Sequence, residues 1–242
     1  MFVIDFDYMT KISELSLFFP TYNEEENIKK VVLDAKKVLE RVAITWEILI
    51  VNDGSYDKTK EVAVNLAKKD KRIRVINHSI NKGYGGALKT GFKNSSYEWV
   101  SFTDSDGQFD FSEISKFIGK QKAESADLVL GYRIKRADSF IRRAGAFIWF
   151  LIPRILWGLN VADYSCGFKL IKKGVFNSVQ PLIGEEKVTQ IEMLVKAKKL
   201  GFKFAEVGVH HYPRRFGKQT GADLKVVIKS FIDLFKLWQQ LH

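Results

Sequence analysis

Two carboxylates one residue apart, Asp104 and Asp106, follow directly on the apolar run Trp99-Val100-Ser101-Phe102. At the carboxyl end of a strand in an open α/β sheet, where ligands sit, two Asp oxygens and the nearby Gln108 carbonyl are hard ligands suited to Mg2+ or Mn2+. Such an ion keeps open positions for the phosphates of a nucleotide. Asp, Ser and Gly are equally the ordinary residues of a solvated turn, so this stretch alone leaves both readings open. Two other polar loops bear on the choice. Pro20-Thr21-Tyr22-Asn23-Glu24 follows the apolar run Leu15 to Phe19, and Asn52-Asp53-Gly54-Ser55 follows Glu47 to Val51.

The elements that must hold these loops are legible in the apolar pattern. Strands are expected at Leu15–Phe19, Glu47–Val51, Arg72–Asn77, up to Phe102, and at Asp127–Leu130. A helix capped by Asn23 carries Ile28, Val31, Val32, Ala35 and Leu39 in register, and another from Asp57 or Thr59 carries Val62, Leu66 and Ala67. Alternation at this spacing implies βαβ units and a mostly parallel sheet. The loops at Tyr22, Asp53 and Asp104 then meet at one sheet edge, and this convergence favours a site over a turn. Gly83, Gly85 and Gly86 open a further helix; their spacing matches neither a phosphate loop nor a dinucleotide fingerprint, so close packing explains them better than a phosphate cradle.

Beyond Arg133 the character changes. Residues 142–159 mix basic residues with Phe147, Trp149, Phe150 and Trp157 as one or two amphipathic helices broken at Pro153. Asp163 to Lys169 is a turn into a strand, Glu186 to Leu200 a helix, and Phe202 to Val209 a strand. His210 to Lys218 is a basic loop, in which adjacent His210 and His211 point to opposite faces and do not share a metal. The expected organisation is an extension at 1–14, a domain at 15–222 with halves at about 15–133 and 134–222, and an amphipathic helix at 223–242.

With 242 residues and a net charge of +11, the chain can bury a full core and favours an acidic partner. The aromatics lie in apolar helices rather than on a stacking platform, which speaks against nucleic acid. A single cysteine, Cys166, excludes an internal disulfide. No basic leader precedes an apolar core, and the longest apolar region is too broken to span a bilayer. A cytoplasmic protein lying peripherally on an anionic membrane face is expected, with homo-oligomerisation open.

The three loops, in this order on successive strand ends, resemble the inverting family 2 glycosyltransferases of the GT-A fold, and among them the dolichol- or polyprenol-phosphate mannose and glucose synthases. The resemblance runs from about Leu15 to the last helix. It implies nucleotide-sugar contacts from Pro20, Tyr22, Glu24, Val51, Asp53, Asp104, Ser105, Asp106, Arg133, Arg214 and Lys218, and a divalent ion, Mg2+ or Mn2+, at Asp104, Asp106 and Gln108. The family usually has Asp where Asn52 stands, which weakens any inference about the base. The partners implied are a GDP- or UDP-hexose, a polyprenyl phosphate and an anionic membrane surface. A hydroxyl acceptor would need a general base, for which Asp163 and Glu192 are the candidates; a lipid phosphate is already an anionic nucleophile and needs none.

Overall fold

A computed structural model describes residues 11–134, 151–217 and 224–241, with the side chains of 224–229 excepted. The expected helical segment at 142–150 and Lys218 lie outside the described residues. Seven strands form one sheet in the order β3-β2-β1-β4-β6-β5-β7. These are β1 (Ile12–Thr21), β2 (Ala43–Asn52), β3 (Ile73–Asn77), β4 (Trp99–Phe102), β5 (Leu128–Arg133), β6 (Lys169–Lys172) and β7 (Phe204–Val209). All pairings are parallel except those of β6, which runs against both β4 and β5.

Strand alternation sorts the side chains of the central strands to two faces. Leu17, Phe19, Ile48 and Ile50 join one core, covered by α1 (Ile28–Val42), α2 (Thr59–Lys69) and α4 (Ile114–Glu124). Phe18, Leu49 and Val51 join the other, covered by α3 (Gly83–Asn94), α6 (Lys173–Ser178), α7 (Val188–Lys199) and α8 (Leu224–Leu241). Both faces of β1 and β2 are therefore dry, which is why these strands read as unbroken apolar runs. Each such fully buried Leu, Ile or Phe contributes about 1.5–3 kcal/mol. Residues 151–157 are helical (α5), and Ile152 and Trp157 pack against the second core.

Several boundaries differ from expectation. The first strand begins at Ile12, whose side chain is already in the core. Asn23 does not cap α1: its backbone is left-handed, at φ 54°, and α1 starts at Ile28 behind Asn27. Asn23 instead receives the Tyr56 amide on its side-chain oxygen. Two helices, α4 and α6, add to the expected elements: α4 buries Ile114, Phe117 and Ile118, and the six-residue α6 buries Val175 and Phe176.

What the fold does for function is set by β2, β1 and β4 lying side by side and parallel. Thr21 stands opposite Asn52, and Phe18 opposite Phe102. The loops after all three strands therefore open on one edge.

Candidate active site

The loops at that edge are tied to one another before any ligand is considered. Asn23 N donates to Ser55 Oγ, Glu24 N to Thr59 Oγ1 at 2.8 Å, and Lys58 N to Glu25 Oε2 at 2.8 Å. Ser105 Oγ donates to Pro20 O at 3.0 Å, joining the acidic turn to the first loop. The loop after β7 closes the ring: Tyr212 N donates to Gln108 O, and Gln108 Nε2 donates to Tyr212 O, both at 2.8 Å.

Asp53 sits in this frame, buried, at the end of β2. One oxygen, Oδ1, accepts from the Lys82 amide at 2.8 Å and faces His78 Nδ1 at 2.6 Å, while His78 Nε2 lies 2.9 Å from Thr90 Oγ1. Oδ2 takes no hydrogen bond among the described residues, so one acceptor is held rigidly and the other is available to a ligand. His78 went unnoticed in the sequence. Only the register that sets Asn52 beside Asn77 makes the residues after β2 and β3 neighbours.

Asp104 and Asp106 diverge in surroundings. Tyr84 donates its hydroxyl to Asp104 Oδ1 at 3.0 Å, and the carboxylate lies on the backbone of Gly167, where a Cβ would overlap it. Burial, and then the charge of Asp106, raise the Asp104 pKa to about 7. Asp106 Oδ1 accepts from Gln108 N at 3.0 Å, and Oδ2 lies 3.4 Å from Arg214 Nη1. The other guanidinium nitrogen of Arg214 donates to Glu24 Oε1 at 2.5 Å. Burial raises the Glu24 pKa, against the hydrogen bond from Asn27 and the charge of Arg214. Arg214 thus spans the first loop and the acidic turn. A cleft of about 380 Å³ lined by Tyr22, Glu24, Asn27, Tyr56, Arg214 and Gly217 adjoins it. A more open depression of about 650 Å³, bordered by Glu25, Tyr56, Asp57 and Lys60, includes none of Asp53, Asp104 and Asp106.

Among the described residues, no cluster of three or more His, Cys, Asp or Glu side chains is arranged to hold a metal unaided. Two carboxylates are present, one raised by the other's charge, with a guanidinium drawn to Asp106. That donor set fits a hard cation taking its remaining ligands from a diphosphate, rather than a self-sufficient metal centre.

Other expected site residues are placed differently. Val51 is fully buried in the second core, so its side chain offers a ligand nothing. Asp163 is buried and bound by Arg133, Nε to Oδ2 at 2.8 Å and Nη2 to Oδ1 at 3.2 Å, with Ser165 N on Oδ1. Burial alone would lower the Arg133 pKa, but the Asp163 carboxylate outweighs it and raises the value. Glu192 has no exposed surface, and its oxygens accept from Ile183 N, Gly184 N and Lys196 Nζ at 3.2, 2.6 and 2.6 Å. Both carboxylates are thus held by donors on each oxygen. The glycine-rich stretch serves packing: a Cβ at Gly85 would overlap Thr189 Oγ1 and crowd Glu186 N, and the Glu186 carboxylate accepts from Tyr84 N at 3.3 Å. His210 turns to Glu113, and His211 packs edge-on to Phe109, so the two rings part as strand alternation requires.

Residues 16–179 match the model of glycosyl transferase family 2, and the chain belongs to that family: it is a glycosyltransferase of the GT-A fold. Among its relatives is the dolichyl-phosphate beta-glucosyltransferase ALG5A of Trichomonas vaginalis, 32% identical over 241 residues that cover 92% of this chain and 72% of the relative. An undecaprenyl-phosphate 4-deoxy-4-formamido-L-arabinose transferase of Salmonella choleraesuis is 28% identical over 218 residues; the match takes in 89% of this chain and 65% of that protein's length. The glucosyl-3-phosphoglycerate synthase of Mycobacterium tuberculosis, solved with Mn2+, UDP-glucose and phosphoglyceric acid, superposes with a TM-score of 0.74 at 17% identity, covering 94% of this chain and 80% of that one. At that identity the likeness speaks for the fold.

Proposed function

We propose that this protein transfers a mannose- or glucose-type hexose from a GDP- or UDP-sugar to a polyprenyl phosphate, with inversion, at the cytoplasmic face of a membrane. The observation that carries the choice of acceptor is the state of Asp163 and Glu192. Both candidate bases are buried and engaged by donors on each oxygen. An acceptor that is already anionic needs neither. The two relatives that act on dolichyl and undecaprenyl phosphate support the same choice.

The nucleoside lies against Pro20, Tyr22 and Glu24, with Asp53 Oδ2 accepting from the base and His78 fixing that carboxylate's orientation. Arg214 turns from Glu24 and Asp106 to the diphosphate, for which its always-charged donor fork is suited; Lys218 and Arg133 add positive charge. Asp104 and Asp106 would hold Mg2+ or Mn2+, with Gln108 completing the turn; bound there, the ion would offset the negative charge that the leaving diphosphate gains. The Mn2+ of the solved relative supports a divalent ion. An acceptor phosphate oxygen attacks the anomeric carbon from the face opposite the diphosphate. The new carbon–oxygen bond forms as the bond to the diphosphate breaks, and the nucleoside diphosphate leaves.

Membrane contact falls to α5 and α8. Leu151, Ile155, Phe231, Ile232 and Phe235 are exposed there, while the α7 lysines hold the ends of both helices, Lys198 on Trp157 O and Lys199 on Leu241 O. Among the described residues no helix is long and apolar enough to cross a membrane, and a peripheral attachment with basic residues facing anionic headgroups fits these helices.

Thermal stabilisation by UDP, GDP and their hexose conjugates, with and without Mn2+, tests the donor half of this reading, because a ligand specific to the folded state raises the midpoint. Product analysis with polyprenyl phosphate and with a short soluble sugar tests the acceptor half. Transfer to the soluble sugar alone would overturn it.

A further inference from the structure

Lys169, the first residue of β6, is fully buried, yet among the described residues its ammonium meets no carboxylate at hydrogen-bond distance. It donates to Tyr164 O at 3.1 Å, to Cys166 O and to Gln190 Oε1, and it lies 5.5 Å from the centre of the Phe102 ring. An ammonium set among neutral acceptors is more costly to bury than an apolar side chain of the same length. Packing therefore does not account for a lysine here. Burial lowers its pKa to about 8, against the pull of Cys166, Asp163 and Asp104, and the group remains charged at neutral pH.

The three acceptors show what the charge organises. Tyr164 and Cys166 belong to the turn that carries Asp163, the partner of Arg133, and Gly167, whose backbone supports the Asp104 carboxylate. Gln190 belongs to α7 and is buried. An ammonium cannot accept a hydrogen bond, so the amide oxygen of Gln190 must face it.

We propose that Lys169 is the positioning residue of the donor site: it grips the Tyr164 and Cys166 carbonyls so that Gly167 and Asp163 stand correctly against Asp104 and Arg133, and through Gln190 it locks that turn to α7. This role rests on the transferase reading above, in which Asp104 serves the donor. No atom of Lys169 touches the donor, and its effect passes through the turn.

Lys169→Met and Lys169→Arg, compared with wild type, test the role. Calorimetric titration with UDP and with GDP in the presence of Mn2+ gives affinity, and turnover with the donor that wild type accepts gives kcat and KM. Lys169→Met is expected to weaken nucleotide binding with Mn2+ by about tenfold or more and to lower kcat, while KM for polyprenyl phosphate stays unchanged. Lys169→Arg, which restores a buried donor cation, is expected to recover to within about threefold of wild type. A methionine variant that binds and turns over like wild type, or an arginine variant no better than it, overturns the proposal. Should Lys169→Met fail to fold by circular dichroism, Gln190→Met cuts the link between the turn and α7; wild-type affinity and kcat in that variant overturn the proposal equally. Wild type that binds neither nucleotide overturns the proposed GDP- or UDP-sugar donor, a result distinct from any of these.

Discussion

Glu192 shows how residue type and residue role come apart. A carboxylate at the fifth position of a helix, near a proposed sugar site, has the chemistry of a base, and nothing in its neighbours along the chain contradicts that. Its donors, Ile183 N and Gly184 N, come from a loop whose path no local pattern reveals. Glu192→Gln should therefore act on stability: we expect a loss of about 1–3 kcal/mol in urea unfolding, from donors left poorly matched, with turnover of the folded fraction within about threefold of wild type. A true base would lose at least about a hundredfold. Lys169 provides a second residue-scale prediction. Its folded pKa of about 8 lies below the ordinary 10.5, so between those values the unfolded chain holds a proton that the folded chain does not. The stabilisation this represents is complete above pH 10.5 and is lost as pH falls through 8. Wild-type stability relative to Lys169→Met should accordingly climb between pH 8 and 10.5, by at most about 3 kcal/mol, when unfolding is followed across that range. A flat difference would contradict the lowered pKa of Lys169.

At the scale of elements, the strands were the most legible part of the chain. In the first half β1, β2 and β4 are largely buried on both faces and run into polar loops, and their order along the chain already places Tyr22, Asp53 and Asp104 at a common edge. What the chain could not disclose was contact between elements distant in sequence. His78 and Tyr84 become site residues only because β3 lies beside β2 and α3 begins beneath the acidic turn. Val51, a nucleotide contact implied by the resemblance, stands next to Asp53 at the end of β2, and strand alternation sends its side chain into the core. The glycines at 83–86 point the same way. Gly85→Ala puts a methyl group where Thr189 and the Glu186 backbone already stand, and should cost about 1–3 kcal/mol by overpacking. Urea unfolding of that variant, beside a control at open-sided Gly119, separates this from a general helix effect.

For the whole molecule, the sheet divides labour between its two coverings. One, formed by α1, α2 and α4, packs a closed core; the other includes α8, which buries Leu234 and Leu237 and leaves Phe231, Ile232 and Phe235 exposed. Phe231 and Phe235 are four residues apart and share a helix face. Phe235→Glu should reduce co-sedimentation with vesicles rich in anionic lipid by about fivefold or more, as buried apolar area is lost and a negative charge gained. The same variant should leave the thermal midpoint within about a degree of wild type, because that side chain is already largely in water. Equal sedimentation of both proteins would move membrane contact elsewhere.

The clasp between residues 23–25 and 55–59 has one more consequence. Backbone amides on each strip are met by side chains of the other, so the floor that receives a nucleoside is assembled during folding rather than on encounter. An incoming donor would then surrender little affinity to arranging its own berth, and its arrival rate should depend on diffusion and the basic surface more than on any rearrangement of that floor.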